Sequence, residues 1–260
     1  MERMLHGCKV HYTLSEARDT RVLLLHGWGC SEKLMQPVAK GLEDRAQTLT
    51  LDFPGFGASE KPPQPWGVED YATCVRELLE AERFTPCTVI AHSFGCRVAL
   101  YLAAEDASLF ERMILTGAAG LKKPQTEEGR KRAEQFQRGK KLSQMLKKTH
   151  LFGSIPDRME QALREKYGSR DYNALDEEMR RTFVKVISLD LADRLPRVSC
   201  PALLVFGDQD TETPLWMGRK MEKDMPNAGL AIFEGGTHFA YLEQLPRFLA
   251  VSRHFLEMNA

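Results

Sequence analysis

Three side chains that lie far apart in the sequence could together form a nucleophilic site. The first is Ser93, in the stretch A-H-S-F-G, which follows the apolar run C-T-V-I and precedes an Ala-rich helical segment. A serine hydroxyl is a weak nucleophile at neutral pH unless a base takes its proton, and the base needs an orienting group. The chain must therefore supply a histidine and a carboxylate at the same place.

His238 is the best placed of the seven histidines to act as that base. It follows the apolar run L-A-I-F-E through a flexible loop, Gly235-Gly236-Thr237. His26 and His92 lie close to the turn of Ser93, but the local backbone is expected to point their side chains away from its hydroxyl. His92 stays a candidate for the wall of a substrate pocket or for a framework position.

The orienting acid has two candidates. The stretch G-D-Q-D-T-E-T-P follows the apolar run P-A-L-L-V-F and contains Asp208 and Asp210. In a parallel α/β sheet, functional groups gather at the carboxyl ends of the strands. Both aspartates therefore qualify by their position alone.

The elements that would hold these side chains alternate between strands and helices. The apolar runs expected to form strands are 21–27, 47–53, 87–93, 112–117, 201–207 and 230–235. Their apolarity is continuous rather than alternating, which is typical of strands buried on both faces of a parallel sheet. Helical segments between them predict an α/β fold with a mostly parallel, doubly wound sheet.

One segment, 121–190, contains no convincing strand and reads as charged helical sequence. It has 17 Lys and Arg against 11 Asp and Glu, a net charge of +6, and is too long for a loop in a compact domain. We expect a helical lid over a core formed by 1–120 and 191–260. Met179 and Phe183 share a helical face there that could line an acyl pocket. The basic excess is either a solvated face or a guide for an acidic substrate or carrier.

The net charge, the apolar patterning and the cysteine content of the chain argue against several classes of function. A formal net charge of +0 argues against a nucleic-acid partner. No apolar window is long enough for a membrane span, and no secretory signal is recognisable. The chain contains no metal-ligand cluster and no phosphate-binding loop, so no metal or other cofactor is expected. Six cysteines without a CxxC pair favour a reducing cytoplasm, and nothing in the sequence indicates the oligomeric state.

Five motifs in order resemble those of the α/β-hydrolase family. They are H-G-W-G (26–29), D-F-P-G-F-G-A-S (52–59), A-H-S-F-G (91–95), G-D-Q-D-T-E-T-P (207–214) and G-G-T-H-F (235–239). The order of serine, acid and histidine is also that of the family. The one departure is Ala91, where the family usually has glycine, and alanine is the next smallest residue.

The resemblance implies a catalytic triad of Ser93, His238 and Asp210, with Asp208 in reserve. It also implies an oxyanion hole made of the main-chain N–H groups of Trp28 and Phe94. The D-F-P-G-F-G-A-S stretch is interpreted as a tight loop whose glycines adopt unusual backbone angles.

Hydrolysis of a carboxylic ester of a small acyl substrate is the favoured function. The H-G-W-G and P-G-F-G stretches are also similar to those of esterases that demethylate pimeloyl carrier protein. Carbon–carbon bond hydrolases of ring-cleavage products use the same triad, but their turn usually continues with paired glycines, where this chain has Gly95-Cys96-Arg97. A ligand-binding receptor on a hydrolase scaffold is a third interpretation, and a basal esterase rate near zero would favour it.

Overall fold

The computed structural model describes residues 1–124, 126–148, 154–167 and 170–257. Within them, eight strands form one sheet in the order β1-β2-β4-β3-β5-β6-β7-β8. The strands are β1 (Glu2–Leu5), β2 (Cys8–Leu14), β3 (Thr20–Leu25), β4 (Ala46–Leu51), β5 (Cys87–His92), β6 (Phe110–Thr116), β7 (Ala202–Gly207) and β8 (Ala228–Phe233). In this sheet order, every neighbouring pair from β4 to β8 is parallel. The pairs β1–β2 and β2–β4 are antiparallel. The predicted fold class is confirmed.

Each of the six continuous apolar runs overlaps a parallel strand of this sheet. Residues 22–25 of β3 and 89–91 of β5 are fully buried because helices cover both faces. The hairpin of β1 and β2 was not predicted from the sequence. At this edge of the sheet β2 alternates between buried and half-exposed residues, so its sequence, C-K-V-H-Y-T-L, lacks a continuous apolar run.

Helices connect the strands in chain order. They are α1 (Gln36–Leu42), α2 (Val68–Ala81), α3 (Phe94–Glu105), α4 (Glu127–Lys148), α5 (Ile155–Tyr167), α6 (Arg170–Ala174), α7 (Glu177–Ser188), α8 (Leu215–Asp224), α9 (Ala240–Glu243) and α10 (Leu245–Glu257). An apolar stripe of α2 is fully buried and consists of Tyr71, Val75, Leu78 and Leu79. Burial of that stripe, rather than helix propensity alone, holds α2 against the sheet.

The chain divides into two compact units. One comprises Met1–Leu121 with Val184–Ala260, and the other comprises Lys122–Phe183. The second, which we call the helical unit, contains 16 Lys and Arg against 10 Asp and Glu, a net charge of +6. Within it, Ser143 on α4 donates to the carbonyl of Pro156 on α5, 2.9 Å away.

The sequence placed the end of the helical segment at residue 190, whereas the division between the units falls inside α7. The N–H of Leu191 donates to the carbonyl of Gly120 at 2.9 Å. The side chain of Arg97 donates to the carbonyl of Leu189. These bonds attach the end of the segment to the sheet-containing unit. The role of the helical unit as a lid stays a prediction.

Candidate active site

Ser93 lies in the sharp turn between β5 and α3. Its φ of 51° is in the left-handed region, which a non-glycine residue adopts only under strain. The turn is held because the N–H of Ser93 donates to the carbonyl of Thr116 at 3.0 Å. Ala91 before the turn is fully buried, and Ser93 itself is half-buried. The strained turn therefore raises the hydroxyl above the end of the sheet.

His238 reaches Ser93 from the loop between β8 and α9. Its Nε2 lies 2.9 Å from the Oγ of Ser93, and its side chain is 17% exposed. Gly235 starts this loop with a φ of 71°. Gly117 packs against the imidazole, because a Cβ there would lie 3.2 Å from Nδ1 of His238. Two glycines thus allow the loop to turn and the ring to fit.

Asp210 binds the other side of the imidazole. Its Oδ2 lies 2.8 Å from Nδ1 of His238. The main-chain N–H groups of Glu212 and Thr213 donate to Oδ1 at 2.8 and 2.9 Å, and the hydroxyl of Thr213 donates to Oδ2 at 2.7 Å. Burial raises the pKa of Asp210, but the bond and charge of His238 and the bonds from Thr213 outweigh it, so the pKa is lowered overall.

Asp208, the second candidate for the acid, binds elsewhere. It is exposed, and its Oδ1 accepts a hydrogen bond of 2.8 Å from the N–H of Gly235. The hydrogen bond to His238 is therefore made by Asp210. Asp208 instead binds the main chain near the start of the loop that carries the histidine.

The segment after β3 passes directly beside Ser93. A Cβ on Gly27 would lie 3.3 Å from the Cβ of Ser93, so the main chain at Gly27 lies close to Ser93. Nδ1 of His26 lies 2.7 Å from the carbonyl oxygen of Gly27. Nε2 of the same ring accepts the N–H of Phe53 at 3.0 Å. Burial lowers the pKa of His26 to about 4, so the ring is neutral and donates from Nδ1.

Aromatic rings surround this segment. The Trp28 ring, half-exposed, packs edge to face on Phe56 and Phe94, with centroids 4.9 and 5.3 Å away. Phe94 is also the first residue of α3, so helix geometry leaves its main-chain N–H without an intrahelical acceptor. The site is thus bounded on one side by apolar rings.

The remaining predicted pocket residues belong to the two different units and are described separately. His92 is buried, with 1% of its surface exposed, and its Nε2 lies 3.0 Å from the carbonyl oxygen of His238. Met179 is buried on α7, and Phe183 is half-buried with its ring 6.4 Å from that of Tyr172. The assignment of these residues to an acyl pocket stays a prediction.

The role of Asp52 was not predicted from the sequence. Its Oδ1 accepts the N–H of Glu32 at 2.7 Å and its Oδ2 accepts the N–H of Ala58 at 2.8 Å. The carboxylate thereby joins the segment after β3 to the glycine-rich loop. Gly55 and Gly57 in that loop have φ values of 92° and 56°, as its interpretation requires. The sequence signal that could have indicated this role is the position of Asp52 directly after a buried strand.

Thr213 was missed as well. It binds Asp210, and its only signal in the sequence is its place three residues after that aspartate. Over the described part of the chain, no group of acidic, His and Cys side chains is arranged to hold a metal ion, and no helix is long and apolar enough to cross a membrane.

Comparisons with known proteins identify the family. The model of the alpha/beta hydrolase family matches residues 22–251, which is most of the chain. The protein belongs to this family. It is 27% identical to the pimeloyl-[acyl-carrier protein] methyl ester esterase of Neisseria meningitidis over 252 residues, which cover 91% of this chain and 93% of the relative.

Solved structures share the same fold. An esterase from Exiguobacterium antarcticum superimposes with a TM-score of 0.76 at 19% identity, with 98% of each chain covered. A meta-cleavage product hydrolase from Pseudomonas fluorescens gives a TM-score of 0.74 at 17% identity, with 100% of this chain and 98% of the other covered.

Proposed function

We propose that the protein is a serine hydrolase that cleaves carboxylic esters through an acyl-enzyme. The observation that carries the proposal is the continuous hydrogen-bonded chain from the Oγ of Ser93 through His238 to Asp210, at 2.9 and 2.8 Å. In this order a base can take the proton of the hydroxyl while a carboxylate fixes the tautomer and orientation of the base.

The chemistry runs in two halves. Ser93 Oγ forms a bond to the acyl carbonyl carbon while its proton passes to Nε2 of His238, and that proton then leaves with the departing alcohol as the ester C–O bond breaks. In the second half His238 takes a proton from water, which attacks the acyl-enzyme. The carboxylic acid is released, and the proton returns to Ser93.

The oxyanion of each intermediate would be bound by the main-chain N–H groups of Trp28 and Phe94. Two observations support them: the main chain at Gly27, directly before Trp28, lies close to Ser93, and Phe94 begins α3 directly after Ser93. Loss of one such donor typically costs about 3–4 kcal/mol in the transition state. The N-terminus of α3 adds a partial positive charge at the same place.

The relatives suggest a more specific substrate. The Neisseria relative is an esterase that acts on the methyl ester of a pimeloyl group attached to an acyl carrier protein. The helical unit carries a net charge of +6, which would attract an acidic carrier. On α4, Arg138 and Lys141 are exposed on the same face as the exposed apolar residues Leu142 and Met145. A carrier-borne acyl ester is therefore the candidate substrate within the ester class.

All six cysteines are free thiols, and four of them are buried. Free thiols persist where the surroundings are reducing. We therefore keep the cytoplasm as the proposed compartment.

Hydrolysis of nitrophenyl esters of graded acyl length tests the main proposal. We expect turnover by the wild type that is lost, by about 10⁴-fold or more, in Ser93→Ala and in His238→Ala, because the triad acts as a unit. Turnover that survives in either variant would overturn the assignment. Ring-cleavage dienones in the same panel test the alternative that the protein is a carbon–carbon bond hydrolase. A wild-type rate near zero on every ester would favour the alternative of a ligand-binding receptor.

A paired assay tests the carrier. Hydrolysis of an acyl methyl ester attached to an acyl carrier protein is compared with that of the free ester at several salt concentrations. We expect Arg138→Glu with Lys141→Glu to raise KM for the carrier-linked ester alone, and added salt to have the same effect. Lys223→Glu on α8 is the matched control. Equal KM values for both esters in all variants would contradict the proposal that the substrate is linked to a carrier protein.

A further inference from the structure

His92 hydrogen-bonds to the main chain of the residue that provides the base. It is the last residue of β5, and its Nε2 lies 3.0 Å from the carbonyl oxygen of His238. A carbonyl oxygen only accepts, so Nε2 must carry a proton and donate it. The bond joins residues 146 positions apart in the chain.

The rest of the His92 ring is tightly enclosed. A Cβ on Gly27 would lie 2.7 Å from Nδ1, and no hydrogen-bond partner for this nitrogen is found in the described structure. The ring packs against the rings of His238, Phe239 and Tyr241, with centroids 4.7, 5.0 and 4.9 Å away. The ring is therefore closely packed, and its hydrogen bond to the carbonyl oxygen of His238 is made by Nε2.

His92 is also held neutral. Burial, and after it the neighbouring His238, lowers the pKa of His92 to about 3. A neutral ring matters because His238 becomes positively charged when it takes the proton of the nucleophile. A second cation less than 5 Å away would oppose that charge. At this position Lys or Arg would donate a hydrogen bond but would carry a positive charge. Phe would provide a neutral ring but no hydrogen-bond donor.

We propose that His92 is a positioning residue that holds the loop of His238 at the distance its imidazole needs from Ser93. The proposal rests on the proposed function. The end of β5 then has two tasks, since it carries the nucleophile and, one residue earlier, anchors the main chain of the base. The carbonyl and the imidazole of His238 share one Cα, so fixing the carbonyl restricts where Nε2 can lie.

This role predicts which substitutions are tolerated. His92→Phe keeps a ring in the enclosure but removes the donor, so the loop of His238 can drift from Ser93. A displacement of about 1 Å can cost up to about a hundredfold in rate. His92→Gln places an amide N–H at about the height of Nε2 and should restore much of the loss. Tyr241→Phe, which keeps a ring on His92, is the matched control.

The kinetic test measures kcat, KM and Tm for these variants on a nitrophenyl ester. We expect His92→Phe to lower kcat by about tenfold to a hundredfold with KM within about twofold, and His92→Gln to recover at least half of the loss on a logarithmic scale. Tyr241→Phe should match the wild type. A wild-type kcat in His92→Phe, or equal losses in both His92 variants, would overturn the proposal.

A spectroscopic test of the wild type does not depend on activity. In protein labelled with ¹⁵N-histidine, His92 should give the shifts of a neutral ring protonated on Nε2 from pH 5 to 8. A ring protonated on Nδ1, or charged, would refute the hydrogen bond. Ser93→Ala in the same ester assay separates the two ideas, because turnover that survives there refutes the proposed function while the spectrum still decides the bond.

Discussion

Gly95 passes so close to Leu25 that a Cβ atom on Gly95 would lie 2.6 Å from the main-chain oxygen of Leu25. The carbonyl oxygen of His26 would be only 2.8 Å away. Both obstacles are main-chain atoms at the end of β3, so they cannot move aside as a flexible side chain can. The glycine two residues after Ser93 is thus required by the contact of α3 with β3.

Gly95→Ala should therefore harm both the fold and the site. We expect a loss of about 1–3 kcal/mol in the free energy of unfolding, measured in urea, because α3 must shift away from β3. Ester hydrolysis should fall with it, since the same shift moves Ser93. Gly229→Ala is the control, because no atom lies within 4 Å of a Cβ there. Equal stability of the two variants would contradict the close approach.

The sequence predicts the centre of the fold well because the strands there are buried on both faces. The run at 87–93 contains β5, and the run at 201–207 contains β7. The hairpin at the edge of the sheet is not predicted, because the burial pattern of β2 alternates and such a short alternation is a weak signal in the sequence. Continuous apolarity is a strong signal only in the middle of a sheet.

At the site, the sequence indicates which loops meet but not which atoms bind. The choice between Asp208 and Asp210 depends on the path of one turn, and the residues alone leave both open. The bond from His92 to His238 spans most of the chain and follows from the closing of the sheet. A local pattern cannot contain such a bond, so the sequence left His92 between a pocket and a framework position.

Exchanging each aspartate for asparagine separates their roles. Asp210→Asn should lower kcat by about 10⁴-fold, because an amide that donates to Nδ1 favours the wrong tautomer of His238. Asp208→Asn changes only the acceptor of the Gly235 N–H, so its loss should stay under about tenfold, or 1.4 kcal/mol. The measurement is kcat on one ester at pH 7. A mild Asp210→Asn with a severe Asp208→Asn would reverse the assignment of the acid.

Thr213→Val removes one hydroxyl donor from the carboxylate of Asp210. We expect a loss of about 1–3 kcal/mol in the free energy of unfolding at pH 7. The bond lowers the pKa of Asp210, so its stabilisation is present above the unfolded pKa and is lost as the pH falls through the folded one. The difference from the wild type should therefore shrink below about pH 4.

The control for this pH dependence is Thr73→Val, whose hydroxyl donates to the main-chain oxygen of Glu69 on α2. A carbonyl does not titrate, so the stability cost of Thr73→Val should stay the same from pH 7 to pH 3. If the cost of Thr213→Val were equally independent of pH, the threonine would not be acting on the ionised Asp210.

His26→Asn tests the buried neutral histidine in the segment after β3. The folded protein keeps His26 neutral down to about pH 4, whereas the unfolded chain protonates it below about 6.5. The unfolded state thus binds the extra proton in that range, and wild-type stability falls by about 3 kcal/mol from this group alone as the pH drops from 6.5 to 4. His26→Asn should remove that part of the slope.

The same variant has a second expected effect at pH 7. Its amide can still donate to the carbonyl of Gly27, but the N–H of Phe53 loses its acceptor, which should cost about 1–3 kcal/mol. Urea unfolding at half-unit steps of pH measures both effects. His254→Asn, at an exposed position on α10, should keep the wild-type slope. If His26→Asn kept that slope too, the acid sensitivity would have to come from other groups, and a neutral His26 could not be what orients the peptide between Gly27 and Trp28.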